Sequence, residues 1–266
     1  MTIEALKKRI KVTEDLREIV GTMKALSSVS ILQYEQANTA LAQYRRNLKD
    51  AFHALIKQGG LPKNEAKTAQ NRQLVILIGT DNGMVGKFNK EILDKAKADL
   101  KKQGVPLKNT LFLTVGKRIG GLAMQSNLKL YAKYAVANSV KMVNTIAETV
   151  IMKIDEATRK EHITSVCVWY HKRNKNEPVS VQKQQIIPFD FAAYQKLKDK
   201  PWGTNNIPLI PIERKKMFAA LLNEYLTIAL ASQLNYSLAA EHYTRMTNMQ
   251  NAEKNIDESL EQMNLE

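Results

Sequence analysis

The sequence predicts an α/β chain: a long antiparallel coiled coil of N- and C-terminal helices, plus a central Rossmann-like α/β domain with a mostly parallel sheet. Two observations carry this. Apolar and small residues recur at steps of three and four along both chain ends, and short strand-like runs alternate with helical stretches between them.

At the N-terminal end the stripe opens with Ile3, Leu6 and Ile10. It continues from Leu16 through Ile19, Met23, Leu26, Ser30, Tyr34, Ala37, Leu41, Tyr44, Leu48, Phe52 and Leu55. No proline interrupts it before Gly59, Gly60 and Pro62, which are expected to stop the helix. Within it, "TMKALSSVSIL" (Thr22 to Leu32) sets Met23 and Leu26 on the seam among small Ser, Ala and Thr residues, with Lys24 beside them. Small residues there let a second helix approach closely. The C-terminal end repeats the pattern through Phe218, Leu221, Tyr225, Ile228, Ser232, Asn235, Ala239, His242, Met246, Met249, Glu253, Ile256, Leu260 and Met263. Each helix would run about 80 Å at 1.5 Å per residue, much longer than a domain of this size is wide. Most of each seam is therefore buried by the other helix or by another chain. The expected division is a shaft, residues 1–58 and 212–266, and a central domain, residues 70–200.

The middle holds four strand-like runs: "QLVILIGT" (Gln73 to Thr80), "TLFLTVG" (Thr110 to Gly116), "ITSVCVWYH" (Ile163 to His171) and "VSVQKQQIIP" (Val179 to Pro188). Helical stretches near Asn89 to Gln103, Lys117 to Ser126 and Asn138 to Lys160 separate the first three, a βαβ rhythm that predicts an open parallel sheet. The last two are joined by "KRNKNEP", a hairpin loop, so one edge is antiparallel.

Composition bounds the function. Of 266 residues, 40 are Lys or Arg and 26 are Asp or Glu, a net charge of +14 that predicts a negatively charged partner: nucleic acid, anionic lipid or an acidic protein surface. The single cysteine, Cys167, excludes an internal disulfide framework and sits in an apolar run, as an inert core residue does. No apolar run approaches the roughly 18 residues of a spanning helix, and the N-terminus is too charged for a secretory leader, which predicts a cytosolic or membrane-peripheral protein.

Catalytic motifs are imitated without being met. "LVILIGTDNGMVGKF" runs a buried strand into Gly83, Gly86 and Lys87, but Asp81 stands where a phosphate loop has its first glycine and Phe88 where it has the hydroxyl for Mg²⁺. The reading is a tight structural turn opening a helix, with no cofactor. His53, His162, His171 and His242 are isolated, with no second ligand at metal spacing. The basic runs "HKRNKN" and "ERKK" lack the interleaved aromatics of a single-strand nucleic-acid platform, and the basic residues of both long helices alternate with acids.

Three motifs, in order, resemble the γ subunit family of the rotary F-type ATP synthase. "RIKV" (Arg9 to Val12) precedes "TMKAL" as the family's basic segment precedes its "AMKMVA". "TDNGMVGKFN" keeps Asp81, Gly83, Gly86, Phe88 and Asn89 of a D-x-G-L-x-G-x-F-N turn. "AAEHYTRMTNMQNAEKN" supplies Glu241, Arg245, Met246, Met249, Asn251 and Ala252 of the last helix. "VSILQYEQA" (Val29 to Ala37), in place of a basic segment, looks like the alternate N-type, Na⁺-translocating bacterial enzymes. The sequence ends at "MNLE", where relatives usually continue with a Tyr-Asn-x-x-Arg-Gln segment.

The resemblance implies a non-catalytic rotor: the coiled coil stands inside the ring of α and β subunits, the central domain is a foot on the c-ring beside ε, and membrane contact is only peripheral, on the cytoplasmic face of the bacterial plasma membrane. No nucleic acid is implied. Carried over residue by residue, Met23, Lys24, Glu241, Arg245 and Met246 are expected near the moving loops of the β subunits, with Glu241 steadying Arg245 one turn away. Asp81, Gly83 and Gly86 are expected to build the turn. Two rival readings stand beside it, a basic coiled-coil protein that binds nucleic acid and a nucleotide-dependent α/β enzyme; neither accounts for apolar seams placed at the two chain ends.

Overall fold

A computed structural model describes residues 2–59, 72–174 and 177–265. Helix α1 spans Ile3–Lys57 and α6 spans Arg214–Leu265; between them lie β1 (Gln73–Ile78), α2 (Phe88–Lys102), β2 (Thr110–Val115), α3 (Lys117–Gln125), β3 (Leu130–Tyr134), α4 (Val140–Lys160), β4 (Ser165–Lys172), β5 (Ser180–Ile187) and α5 (Phe191–Gln195). Thr2 caps α1, its hydroxyl accepting from the Ala5 N–H. At the other end the Gln58 N–H closes the last turn onto Ala54. Gly60 and Pro62, expected to end this helix, lie outside the described residues.

The two long helices run antiparallel. Arg17 pairs with Asp257 at 2.8 Å, Lys24 with Glu253, and the Tyr34 ring stacks on His242 at 5.8 Å. Their seam corrects the expected one in the N-terminal half of α1. The buried or half-buried residues along α1 include the expected Leu6, Ile10, Met23, Ser30, Tyr34, Ala37, Leu41, Leu48, Phe52 and Leu55, together with Thr13, Val20, Lys24, Ser27, Ile31 and Asn38, which lie outside the expected stripe. Ser27 is buried, whereas Leu26 is 64% exposed and Ile19 is 55% exposed. The cause is chemical: over this half ion pairs and small polar groups share the contact with Leu6, Ile10, Val20 and Ile31, so the apolar stripe alone does not mark it. The C-terminal seam is as expected from Phe218 to Met263, buried or half-buried throughout.

The sheet has the order β3-β2-β1-β4-β5, parallel except for the antiparallel β4–β5 edge. Strand β3, absent from the expected four, is a short edge strand whose "LYAKY" is at best half-buried, so its pattern is faint. Parallel strands covered on both faces read as continuous apolar runs; β1 is buried at all six positions. Val75, Leu77, Phe112 and Trp169 face α2 and α3. Leu74, Ile76, Ile78, Leu113, Val166 and Val168 face α4 and the middle of α6.

That double use of α6 explains why every residue from Ile228 to Asn235 is buried. It also corrects the expectation about apolar runs, because an 18-residue window of α6 reaches a mean hydropathy of 1.2, enough by length and composition to cross a membrane. More than half of that window is buried inside the protein, against α1 on one side and α4 and β4 on the other.

At the end of the shaft away from the chain termini, Phe52 packs against Phe189, Tyr194, Phe218 and Tyr225. The segment from Trp202 to Pro208 closes this end, with Trp202 on the His53 ring and the Pro208 carbonyl accepting from the Gln58 side chain. Phe52 is fully buried, so Phe52→Ala is expected to cost about 3–5 kcal/mol by lost transfer energy and an unfilled cavity. A urea-unfolding midpoint shift checks this.

Candidate functional site

The residues that the sequence singled out gather where the turn after β1 meets the shaft. Thr80, the first residue past "QLVILIG", is fully buried and held by Asn89. The Asn89 carbonyl oxygen accepts from the Thr80 N–H at 3.0 Å and its amide donates to the Thr80 hydroxyl at 2.8 Å. Asp81 accepts from the Lys117 N–H at 2.7 Å and the Val136 N–H at 3.3 Å, so one carboxylate ties the turn to the start of α3 and to the loop before α4. A carboxylate at a helix N-terminus satisfies free amide donors and complements the dipole.

The glycines divide. Gly86 takes a left-handed φ of 56°, which a glycine adopts without strain. Gly83 does not; the nearest group to its Cβ position is the movable guanidinium of Arg118 at 2.9 Å. The second left-handed residue is Met84, with φ 62°. Its carbonyl accepts from the Asn248 amide at 2.9 Å, docking the turn onto α6. No local sequence signal marks that bond, because its partners stand 164 residues apart.

Against this turn, α1 and α6 form a cleft of about 390 Å³ lined by Met23, Leu26, Ser27, Gly83, Met84, His242 and Arg245. Met23, Gly83 and Arg245 thus come together as neighbours. Lys24 points instead to Glu253 on α6. Met246 is half-buried on α6, and neither it nor Asp81 nor Gly86 lines the cleft.

Arg245 and Glu241 form the expected i, i+4 pair, at 2.5 Å, and both are more than nine-tenths buried. Burial pushes the Glu241 carboxyl above its ordinary range, Arg245 opposes that shift, and the charge on Asp81 adds to it. Burial also pulls His242 down to about 4, helped by the Arg245 charge, so its ring is neutral where it stacks on Tyr34. Tyr34 is raised, by burial first and then by Glu241. The sequence singled out Glu241 and Arg245; the contributions of Tyr34, His242, Met84 and Asn248 appear only once α1, α6 and the turn are packed together.

Among the described residues no group of three His, Cys, Asp or Glu side chains is arranged to hold a metal. Leu26 and Met84 are the exposed apolar residues on the two rims of the cleft, with the exposed amide of Asn82 beside Met84. Such a surface makes contact with protein rather than chemistry on a small substrate.

A family model described as ATP synthase matches residues 2–266. The chain belongs to the ATP synthase γ family. It is 23% identical to the ATP synthase gamma chain of Geotalea uraniireducens, with all of this chain and 91% of that one aligned. It is 24% identical to that of Pelagibacter ubique with the same coverage. In fold it is similar to the rotor of the Euglena gracilis mitochondrial ATP synthase, with TM-score 0.63, 14% identity, and 99% of this chain and 95% of that chain covered. It is also similar to the central stalk and c-ring structure from Tetrahymena thermophila, with TM-score 0.58, 19% identity, and 88% and 99% covered. The γ chain is the non-catalytic central-stalk rotor subunit.

The buried pair gives a pH-dependent expectation. With Arg245→Leu the Glu241 carboxyl loses its opposing charge and rises further. A group whose folded pKa is raised gives stability that is present at low pH and lost as pH rises through the folded value. Arg245→Leu is therefore expected to lose about 3–5 kcal/mol at pH 8 and markedly less at pH 5, read from urea midpoints at the two pH values. Adding Glu241→Gln is expected to remove the difference between them.

Proposed function

We propose that the Met23–Arg245 cleft and the apolar stripe beside it are the bearing against which moving loops of the β subunits press. The carrying observation is on α1. Val12, Leu16, Ile19 and Leu26 are each about half exposed or more, recur at steps of three, four and seven, and lie beside rather than in the seam with α6. A regularly spaced apolar stripe on a shaft, uncovered by the rest of the described chain, calls for a partner. Half-buried Met23 supplies a flexible, polarizable contact that adapts as one loop replaces another, backed by the buried Arg245–Glu241 pair.

In this reading the chain works as a shaft, residues 1–58 and 212–266, and a foot, residues 70–200. The shaft stands within the α and β subunits, and the foot meets ε and the c-ring at the cytoplasmic face of a bacterial plasma membrane. The Met84 carbonyl on Asn248 and the core shared by the sheet and α6 anchor the foot to the shaft, so the two turn together. An asymmetric shaft holds three catalytic sites in different conformations by touching each differently, and rotation changes which state each favours. The net charge of +14 suits acidic loops and anionic headgroups nearby.

Met23→Lys is the test. Adding a charge to the bearing, with the seam and the Lys24–Glu253 pair left in place, is expected to lower ion transport per ATP hydrolysed several-fold while the complex still assembles. Unchanged pumping per ATP in an assembled complex would remove the bearing role from this stretch.

A further inference from the structure

On the α2 side of the sheet, His171 of β4 is only 1% exposed. Its ring lies flat against Phe88, the first residue of α2, with centroids 3.6 Å apart and planes 21° apart. Phe88 packs in turn with Val85 of the turn after β1 and with Ala240 of α6, and all three are 4% exposed or less. The imidazole is therefore part of the floor on which that turn rests where it meets the shaft. Among the described residues, neither ring nitrogen has a hydrogen-bond partner.

A neutral ring strands one N–H and one lone pair there, whereas a second proton would strand two donors and a full charge. The charged groups on the elements around it offer no relief. On α2, Lys95 adds its own charge to the cost, and Glu91 is bonded to Lys95 at 2.8 Å. Lys87, before that helix, and Asp94 on it are exposed. On β5, Val181 stands opposite His171, and Lys183 beyond it is bonded to Asp99 at 2.7 Å. Glu177, ahead of β5, is exposed and accepts from Asn174. Lys172 and Arg173, next along β4, lie over Tyr236 and Tyr243 of α6. Asp81 of the turn is held by the Lys117 and Val136 amides, and Glu241, beside Ala240, is paired with Arg245. Helix α2 also presents its positive end here. Attraction of an imidazolium to the Phe88 face offsets only part of the desolvation.

We propose that His171 is an acid-sensitive catch on the joint between foot and shaft. While neutral it seats Phe88, and with it the turn, against α6; once protonated the ring leaves for solvent and the turn comes off its seat. Burial, with Lys95 adding to it, pulls the His171 pKa down to about 3. A depressed folded value gives a seat that is fully stable above the unfolded value of about 6.5 and is weakened as pH falls from there toward the folded one. The catch is independent of the bearing on the other side of the turn.

The experiment is hydrogen exchange of the full chain, read by mass spectrometry between pH 6.5 and pH 4.5 and corrected for the intrinsic pH dependence of exchange. Opening of the turn, residues 80–90, is expected to rise by up to about tenfold per pH unit, while residues 228–235 of α6 stay protected. In His171→Leu, close in volume and unable to take a proton, the turn is expected to keep its protection across the range. NMR titration of the His171 ring in the parent chain supplies a reading that needs no variant: the ring is expected to stay neutral while the turn is protected and to charge only as it opens. Equal loss of turn protection in the parent and in His171→Leu, protection in the parent that does not fall with pH, or a ring that titrates at its ordinary value with the turn still protected would each overturn the proposal.

Discussion

Between Ile228 and Glu241 helix α6 has no face to give to water, and the rest of the molecule is arranged around that constraint. One side must fit α1 and the other must fit the sheet and α4. Small residues make this possible: Ala229, Ala231, Ser232, Ser237, Ala239 and Ala240 allow close approach on both sides at once, while Leu230, Leu234 and Leu238 fill the sheet side. The hydrophobic contribution of such burial, about 25 cal/mol per Å² of apolar surface, is shared between two structures that would otherwise be separate. The sheet is therefore attached to the shaft through its own core.

Polar groups finish the joint. Glu241, Arg245, His242 and Tyr34 lie at the edge of the shared core, where the turn after β1 reaches α6. Burying an ion pair returns little net stability, and Glu241 is raised despite Arg245, a sign that desolvation outweighs attraction. What the pair does supply is specificity: a helix slid by one residue would strand both charges in the interior.

Much of this was legible in the sequence for a simple reason. Seams and parallel strands are written in apolar periodicity, and both ends of the chain and four of five strands carry it plainly. The failures share one physical origin. Along the first two-thirds of α1 the seam also takes in Lys24, Ser27 and Asn38, whose burial depends on Glu253 and on close helix approach, neither of which a hydrophobic stripe records. Strand β3 hides because an edge strand needs no buried faces. The basic run at His171 seemed to lack aromatics, yet Lys172 and Arg173 lie over Tyr236 and Tyr243 of α6. Of the candidate site, the turn residues and the Glu241–Arg245 pair could be read directly; Met84, Asn248 and the Tyr34–His242 stack depend on tertiary packing alone.

From Arg214 to Leu265 there is neither glycine nor proline, so α6 has no built-in hinge. Its lateral support is uneven: buried at every position from Ile228 to Asn235, it alternates exposed and half-buried positions over most of its last fifteen residues, beside the first turns of α1. Such a rod is tapered in torsional stiffness. Twist entering at the foot therefore meets the least give in the enclosed part and the most toward the chain termini.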